Sequence, residues 1–188
     1  MKKRLLFITG VPGIGKTTVL LKTVKSLKAL EYSVGGMISR EVRKGGMRVG
    51  FEILDLAAEK SGWLAHVNHK AGPKVGKYGV NIEDLNRVGV SAILHAIENC
   101  DVVAIDEVGP MELYSEKFRE AVWKAVESSK LVIGTIHWKA KDKLIDMVKT
   151  REDAEIFTVT YENRDRLHQS IIERIKRASC KSGFGKTH

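Results

Sequence analysis

Nine consecutive residues, Gly10-Val11-Pro12-Gly13-Ile14-Gly15-Lys16-Thr17-Thr18, carry the spacing G-x-x-x-x-G-K-[ST] of a loop built to hold a polyphosphate. Glycines at the fixed places let successive backbone N–H groups turn inward around an anion, and a helix starting where the loop ends adds its positive dipole end. In that arrangement Lys16 reaches the β- and γ-phosphates, the Thr17 hydroxyl ligates Mg²⁺, and Thr18 lies within reach of the α-phosphate. A second stretch, Asp101 to Pro110, is an apolar run that closes on Asp106-Glu107. Downstream of such a loop, Asp106 can accept from the waters of Mg²⁺ or from the Thr17 hydroxyl, and Glu107 can polarise an attacking water. The nucleotide-contacting edge is expected to continue through Val108 and Gly109 before Pro110 turns the chain away.

The other candidates follow from what phosphoryl transfer needs. Charge on the transferred group calls for a cation besides Lys16, and Arg40, Glu41, Arg43, Lys44 and Arg48 cluster around a Lys44-Gly45-Gly46 turn, with Arg43, Lys44 or Arg48 as the candidate cation. That cluster reads either as a solvated hairpin tip or as a cationic arm over the triphosphate. Thr135 or His137, at the end of the strand after Asp106-Glu107, could sense the γ-phosphate. Asn163 offers a donor and an acceptor and Arg164 a planar face, so the loop after the last strand is a candidate base site. Asn163 as a plain helix cap is the alternative. His66 and His69 lie three apart with nothing to complete a metal set around them.

These residues need elements to hold them. Arg4 to Thr9 is a short apolar run fit for a buried strand, and Val19 to Leu27 repeats its apolar positions at helical spacing. Tyr32 to Val42 and Met47 to Leu56 predict two strands around the glycine turn, the second alternating Val49, Phe51 and Ile53 with polar residues. A short strand is expected at Trp63 to Val67 and a Lys- and Gly-rich loop from His69 to Tyr78. Asn81, with Asp84 three residues on, predicts a helix start, followed by the stripe Leu85, Val88, Ala92, Ile93 and Ile97. Ser115 should cap a helix with Phe118, Val122, Ala125 and Val126 inward. Lys130 to Ile136 and Glu155 to Thr160 predict further strands, Asp142 to Thr150 a short amphipathic helix, and Glu162 to Arg177 the last helix.

A chain of 188 residues suits one domain with a sizeable core, expected over residues 1–178, with 179–188 as a disordered tail. Within that tail Gly183-Phe184-Gly185-Lys186-Thr187 imitates part of the phosphate loop but has no helix after it. No apolar run approaches the ~20 residues of a membrane span. Cys100 and Cys180 stand apart without a disulfide framework, so a reducing cytoplasm is expected. A formal charge of +9 keeps nucleic acid open as a partner, although no long basic run appears, so a polyanionic small ligand is favoured.

Taken in order, Gly10 to Thr18, Glu41-Val42-Arg43 with Gly46, Arg48 and Gly50-Phe51, Tyr78-Gly79-Val80, Asp106-Glu107-Val108-Gly109-Pro110-Met111-Glu112-Leu113 and Asn163-Arg164-Asp165 carry a family resemblance. The chain resembles the small P-loop nucleoside-triphosphatases of thermophilic archaea and bacteria, relatives of the vertebrate cancer-related nucleoside-triphosphatase, over almost its whole length to about Arg177. That resemblance implies a RecA-like α/β fold, with a mainly parallel central sheet flanked by helices and a β-hairpin inserted after the first helix. It also implies slow Mg²⁺-dependent hydrolysis of ATP, GTP, CTP and UTP to the diphosphate and phosphate, with broad base tolerance, by what is expected to be a monomer. Two other classes remain. A nucleotide or polynucleotide kinase would need an acceptor pocket and an arginine-bearing lid, of which no R-x-x-x-R segment is a sign. A nucleotide-driven switch binding RNA or a partner would use the positive charge.

Overall fold

The computed structural model describes residues 3–180. Its strands are β1 (Leu5–Thr9), β2 (Val34–Lys44), β3 (Met47–Asp55), β4 (Ser61–His66), β5 (Lys74–Val75), β6 (Tyr78–Val80), β7 (Val102–Val108), β8 (Leu131–Ile136) and β9 (Ala154–Thr158). Its helices are α1 (Lys16–Ala29), α2 (Ile82–Asp84), α3 (Ser91–Asn99), α4 (Glu116–Glu127), α5 (Lys143–Thr150) and α6 (Leu167–Cys180). The strands form one sheet in the order β5-β6-β4-β3-β2-β7-β8-β1-β9.

The apolar runs become strands buried on both faces. Leu5 and Phe7 join the cluster under α3, α4 and α5, while Leu6 and Ile8 join the cluster under α1 and α6. The same alternation sends Val103 and Ile105 one way and Val102 and Ala104 the other. A strand with both faces apolar needs a helix layer on each side, which is the condition for parallel pairing. Accordingly β1 pairs in parallel with β8 and β9, and β7 with β8 and β2. The remaining pairings, β2 with β3, β3 with β4, β4 with β6 and β5 with β6, are antiparallel.

The centre of the sheet, β2-β7-β8-β1-β9, is thus parallel as expected, and the hairpin after α1 extends it into an antiparallel flank. The first half of β2 is a strand of the parallel core, paired from Val34 to Met37 with β7, and its second half continues outward as the hairpin arm. Gly36 makes that pairing possible. Its φ is +113°, and a Cβ there would lie 2.1 Å from the Ala104 carbonyl oxygen.

Helix starts follow their capping residues. The side chains of Asn81, Ser115 and Asp142 accept from the N–H groups of Asp84, Phe118 and Leu144. After Asn81 the helical run is continuous but irregular, with a π-helical turn at Leu85–Val90 between α2 and α3. The expected loop from His69 to Tyr78 contains β5 and the start of β6, two strands too short to show a period. α6 begins at Leu167, five residues later than expected, and runs to Cys180. Of the expected tail at 179–188, residues 179 and 180 belong to α6, and 181–188, with the imitation of the phosphate loop, lie outside the described residues. Among the described residues no helix is long and apolar enough to cross a membrane.

Gly36 yields a test. Gly36→Ala should cost about 3 kcal/mol or more, from strain plus the clash with β7, whereas Gly45→Ala, at φ +57° in an open turn, should cost about 1 kcal/mol. Urea denaturation of the two variants checks the ranking.

Candidate active site

The parallel strands present their carboxyl ends on one edge, where ligands bind in open α/β sheets. β1 ends in the loop Gly10 to Gly15. Gly13 and Gly15 have φ of +77° and +111°, values L side chains rarely adopt. No side chain caps the start of α1, and its first turn holds no acid, so its leading N–H groups are left for an anion. Lys16 folds back over the loop, its Nζ 3.3 Å from the Gly10 carbonyl and 3.6 Å from Glu107 Oε2.

Asp106 ties three elements to this loop. The Thr17 hydroxyl donates to its Oδ2 at 2.9 Å, the Thr135 hydroxyl donates to its Oδ1, and the Ser39 N–H also donates to it. The group is buried, and burial pushes its pKa up against the pull of those donors and of Lys16. A hydroxyl and a carboxylate side by side, both hard oxygen donors, suit a hard divalent cation. Thr17 and Asp106 are the residues that would hold it.

Glu107 reaches the adjoining cleft, a volume of about 660 Å³ lined by the loop residues Pro12, Gly13, Gly15, Lys16 and Thr17 on one side. Ser39, Arg40, Glu41, Arg48 and Phe51 of the hairpin and His137 also line it. Burial raises the Glu107 pKa, Lys16 opposes that rise, and Asp106 adds to it. The ring Nδ1 of His137 accepts from the N–H groups of Ala140 (3.0 Å) and Lys139 (3.3 Å), which puts the ring proton on Nε2. Burial, then Lys16 and Lys149, lower its pKa and favour that neutral form.

The sequence candidates thus separate. Thr135 is fully buried with its hydroxyl on Asp106, so it positions that carboxylate and does not face the cleft, whereas His137 does. Of the three cations, Arg48 lines the cleft, ion-paired to Glu41 and 5.4 Å above the Phe51 ring. Arg43 turns back to Glu41 and to the Gly46 carbonyl, and neither it nor Lys44 lines the cleft. Arg40, a member of the same cluster, also lines it, paired with Glu52. The Val108 carbonyl accepts the His137 N–H, and neither Val108 nor Gly109 lines the cleft.

Asn163 does not cap α6 with its side chain. Its amide instead bridges its own loop, accepting from the Thr160 N–H and donating to the Thr158 carbonyl, both at 2.9 Å. Arg164 lies 5.4 Å over the Tyr161 ring, outside the cleft. One acid escaped the sequence reading as a site residue. Glu112, in a 3₁₀ turn after β7, is 4% exposed, and burial followed by repulsion from Glu107 lifts its pKa well above the usual 4.5. The signal available was an acid between the apolar residues Met111 and Leu113 just past Asp106-Glu107.

A phosphate-holding loop at the end of β1, an Asp-Glu pair at the end of β7 and a strand between them define a P-loop nucleotide-binding enzyme of the RecA-like type. A family model described as NTPase matches residues 5–172, and the chain belongs to that family. It is 47% identical over 176 residues to nucleoside-triphosphatase THEP1 of Thermofilum pendens, covering 93% of this chain and 97% of that protein. Against the protein of the same name from Methanocaldococcus jannaschii it is 44% identical over 170 residues, 90% of this chain and 96% of the other. The fold matches the crystal structure of THEP1 from Aquifex aeolicus with a TM-score of 0.78 at 29% identity, covering 92% and 98% of the two chains. It matches the solution structure of a human cancer-related nucleoside triphosphatase with a TM-score of 0.77 at 32% identity, covering 97% and 100%.

The buried acid gives a pH prediction. A carboxyl whose folded pKa is raised contributes stability that is present below its unfolded pKa and is lost as pH rises. Glu112→Gln removes that loss, so its melting temperature should exceed that of the native chain at pH 7, and the two should converge below pH 4.5, the group's ordinary value. Thermal melts across that range check it.

Proposed function

We propose that this protein hydrolyses nucleoside triphosphates to the diphosphate and phosphate, with Mg²⁺ and with broad base tolerance. The observation that carries the reading is the convergence of Lys16, Thr17 and Glu107 on one cleft, with Thr17 hydrogen-bonded to Asp106 behind it. When bound at Thr17 and Asp106, Mg²⁺ supplies charge neutralisation to the β- and γ-phosphates. The loop amides and Lys16 bind the phosphates, Lys16 exchanging its contacts to Gly10 and Glu107 for phosphate oxygens.

Glu107 orients a water for attack on the γ-phosphorus. The oxygen–phosphorus bond to the diphosphate breaks as the new one forms, and the proton of the water passes to Glu107 and from there to the released phosphate. His137 donates from Nε2 toward the γ-phosphate, and Arg48 leaves Glu41 to stabilise the transferred charge. Broad base tolerance is supported by Asn163, the base-reading candidate, whose amide is committed to its own loop.

The test is phosphate release from ATP, GTP, CTP and UTP with Mg²⁺ and without any acceptor. All four should be hydrolysed. Glu107→Gln should lower kcat by about 10²- to 10⁴-fold while nucleotide still binds, and Lys16→Ala should abolish both. Release that needs an added hydroxyl acceptor would contradict hydrolysis and point to a kinase.

Thr135→Val keeps the shape of the side chain and removes the donor to Asp106. It should raise the Mg²⁺ concentration for half-maximal rate by about 10-fold or more, measured by Mg²⁺ titration at saturating nucleotide.

A further inference from the structure

Glu112 is an expensive residue to bury, and it neither lines the cleft nor reaches solvent. Its charged neighbours are two other acids, Glu107 and Asp106, so repulsion adds to the cost of ionising it. Met111 and Leu113 on either side are apolar, and Leu113 packs into the core, so an apolar side chain would serve packing alone. What the carboxyl does instead is accept the N–H of Gly109, along with its own N–H. Gly109 is the first residue after β7, two beyond Glu107, and its carbonyl accepts the Leu113 N–H of the turn that follows.

The space around Gly109 shows why this matters for Glu107. A Cβ built on Gly109 would lie 3.1 Å from Glu107 Oε1, 3.2 Å from Glu107 Cγ and 3.3 Å from Glu112 Oε2. The two carboxyl groups therefore flank Gly109 together, both close to where a side chain would stand, with Glu112 also accepting its amide N–H. Among the described residues Lys16, 3.6 Å away, is the side chain paired with Glu107, and the reading above takes Lys16 to phosphate when nucleotide binds. After that exchange, contact with the Gly109 backbone is what keeps the Glu107 side chain aimed.

We propose that Glu112 is a positioning residue for hydrolysis: its buried carboxyl fixes the Gly109 backbone, and that backbone fixes the direction of the Glu107 carboxylate. The inference rests on Glu107 being the water-orienting group. Glu112 touches neither nucleotide nor water and acts through the turn. A glutamine in its place keeps the accepting oxygen and the volume, so the geometry survives without the acid.

The experiment measures kcat and nucleotide Kd separately for the full chain carrying Glu112→Ala, Glu112→Gln and Gly109→Ala, beside the native chain and Glu107→Gln. Glu112→Ala and Gly109→Ala should each lower kcat about 10-fold or more, since small misplacements of an attacking water are costly, with nucleotide Kd within about twofold of native. Glu112→Gln should restore kcat to within about threefold of native. The Gly109 variant adds one methyl and removes no hydrogen bond, so it decides the matter if Glu112→Ala does not fold.

Native kcat in Gly109→Ala would overturn the proposal. So would a loss of kcat matched by an equal loss of nucleotide affinity, or a failure of Glu112→Gln to rescue, because each marks a purely structural role. If instead Glu107→Gln retains its rate, the underlying assignment of Glu107 has failed, whatever Glu112 does.

Discussion

A carboxylate buried at the junction of three strands is the constraint on which the rest of this structure depends. Asp106 takes hydroxyl donors from Thr17 on α1 and Thr135 on β8, and an amide from Ser39 on β2. Each donor offsets part of the cost of removing the acid from water. If one strand shifted, one donor would be lost and an under-solvated carboxyl would remain, so the acid fixes the relative placement of the phosphate loop, the sheet centre and the root of the hairpin. That is structural registration achieved with the same group that faces the metal in the proposed reaction.

The strand order supplies the space this requires. With β8 between β1 and β7, the phosphate loop and the Asp-Glu pair stand two strands apart, about 10 Å at the usual spacing. Lys16 and Thr17 lie on one side of that gap, Glu107 on the other, and His137 at the end of the intervening strand. The antiparallel half of the sheet adds a wall where the core would otherwise end. Because β2 belongs to both halves, Ser39 contacts Asp106 while Arg40, Glu41 and, across the turn, Arg48 face the cleft. The hairpin and the Asp106 site are thus joined through one continuous strand.

Much of this was legible in the sequence, and what was not has physical reasons. The phosphate loop, the Asp-Glu strand end and the helix caps Asn81 and Ser115 are short-range features whose chemistry is set by neighbours in the chain, and all were readable, whereas Asp142 was read as part of the helix it caps. The antiparallel flank beyond the predicted hairpin was not readable, because β5 and β6 are too short to show a period. Thr135 and His137 were equivalent in sequence, but Thr135 is buried within β8 on Asp106, whereas His137 lies just past the end of that strand at Ile136 and lines the cleft. Asn163 was read as a base contact or a cap, but its amide satisfies the backbone of its own loop instead. Glu112 was hidden by its apolar neighbours, since its role depends on a turn that brings it back to Gly109.

The most direct measurement of the account is a crystal structure of the protein with Mg²⁺, a nucleoside diphosphate and an aluminium fluoride in place of the transferred phosphoryl group. The account predicts that Thr17 Oγ1 coordinates the metal, that Asp106 stays on Thr135 while facing the metal's water shell, and that Glu107 accepts a hydrogen bond from a water in line with the fluoride. An in-line water held by some other residue, or Glu107 still paired with Lys16 and turned from the fluoride, would contradict it.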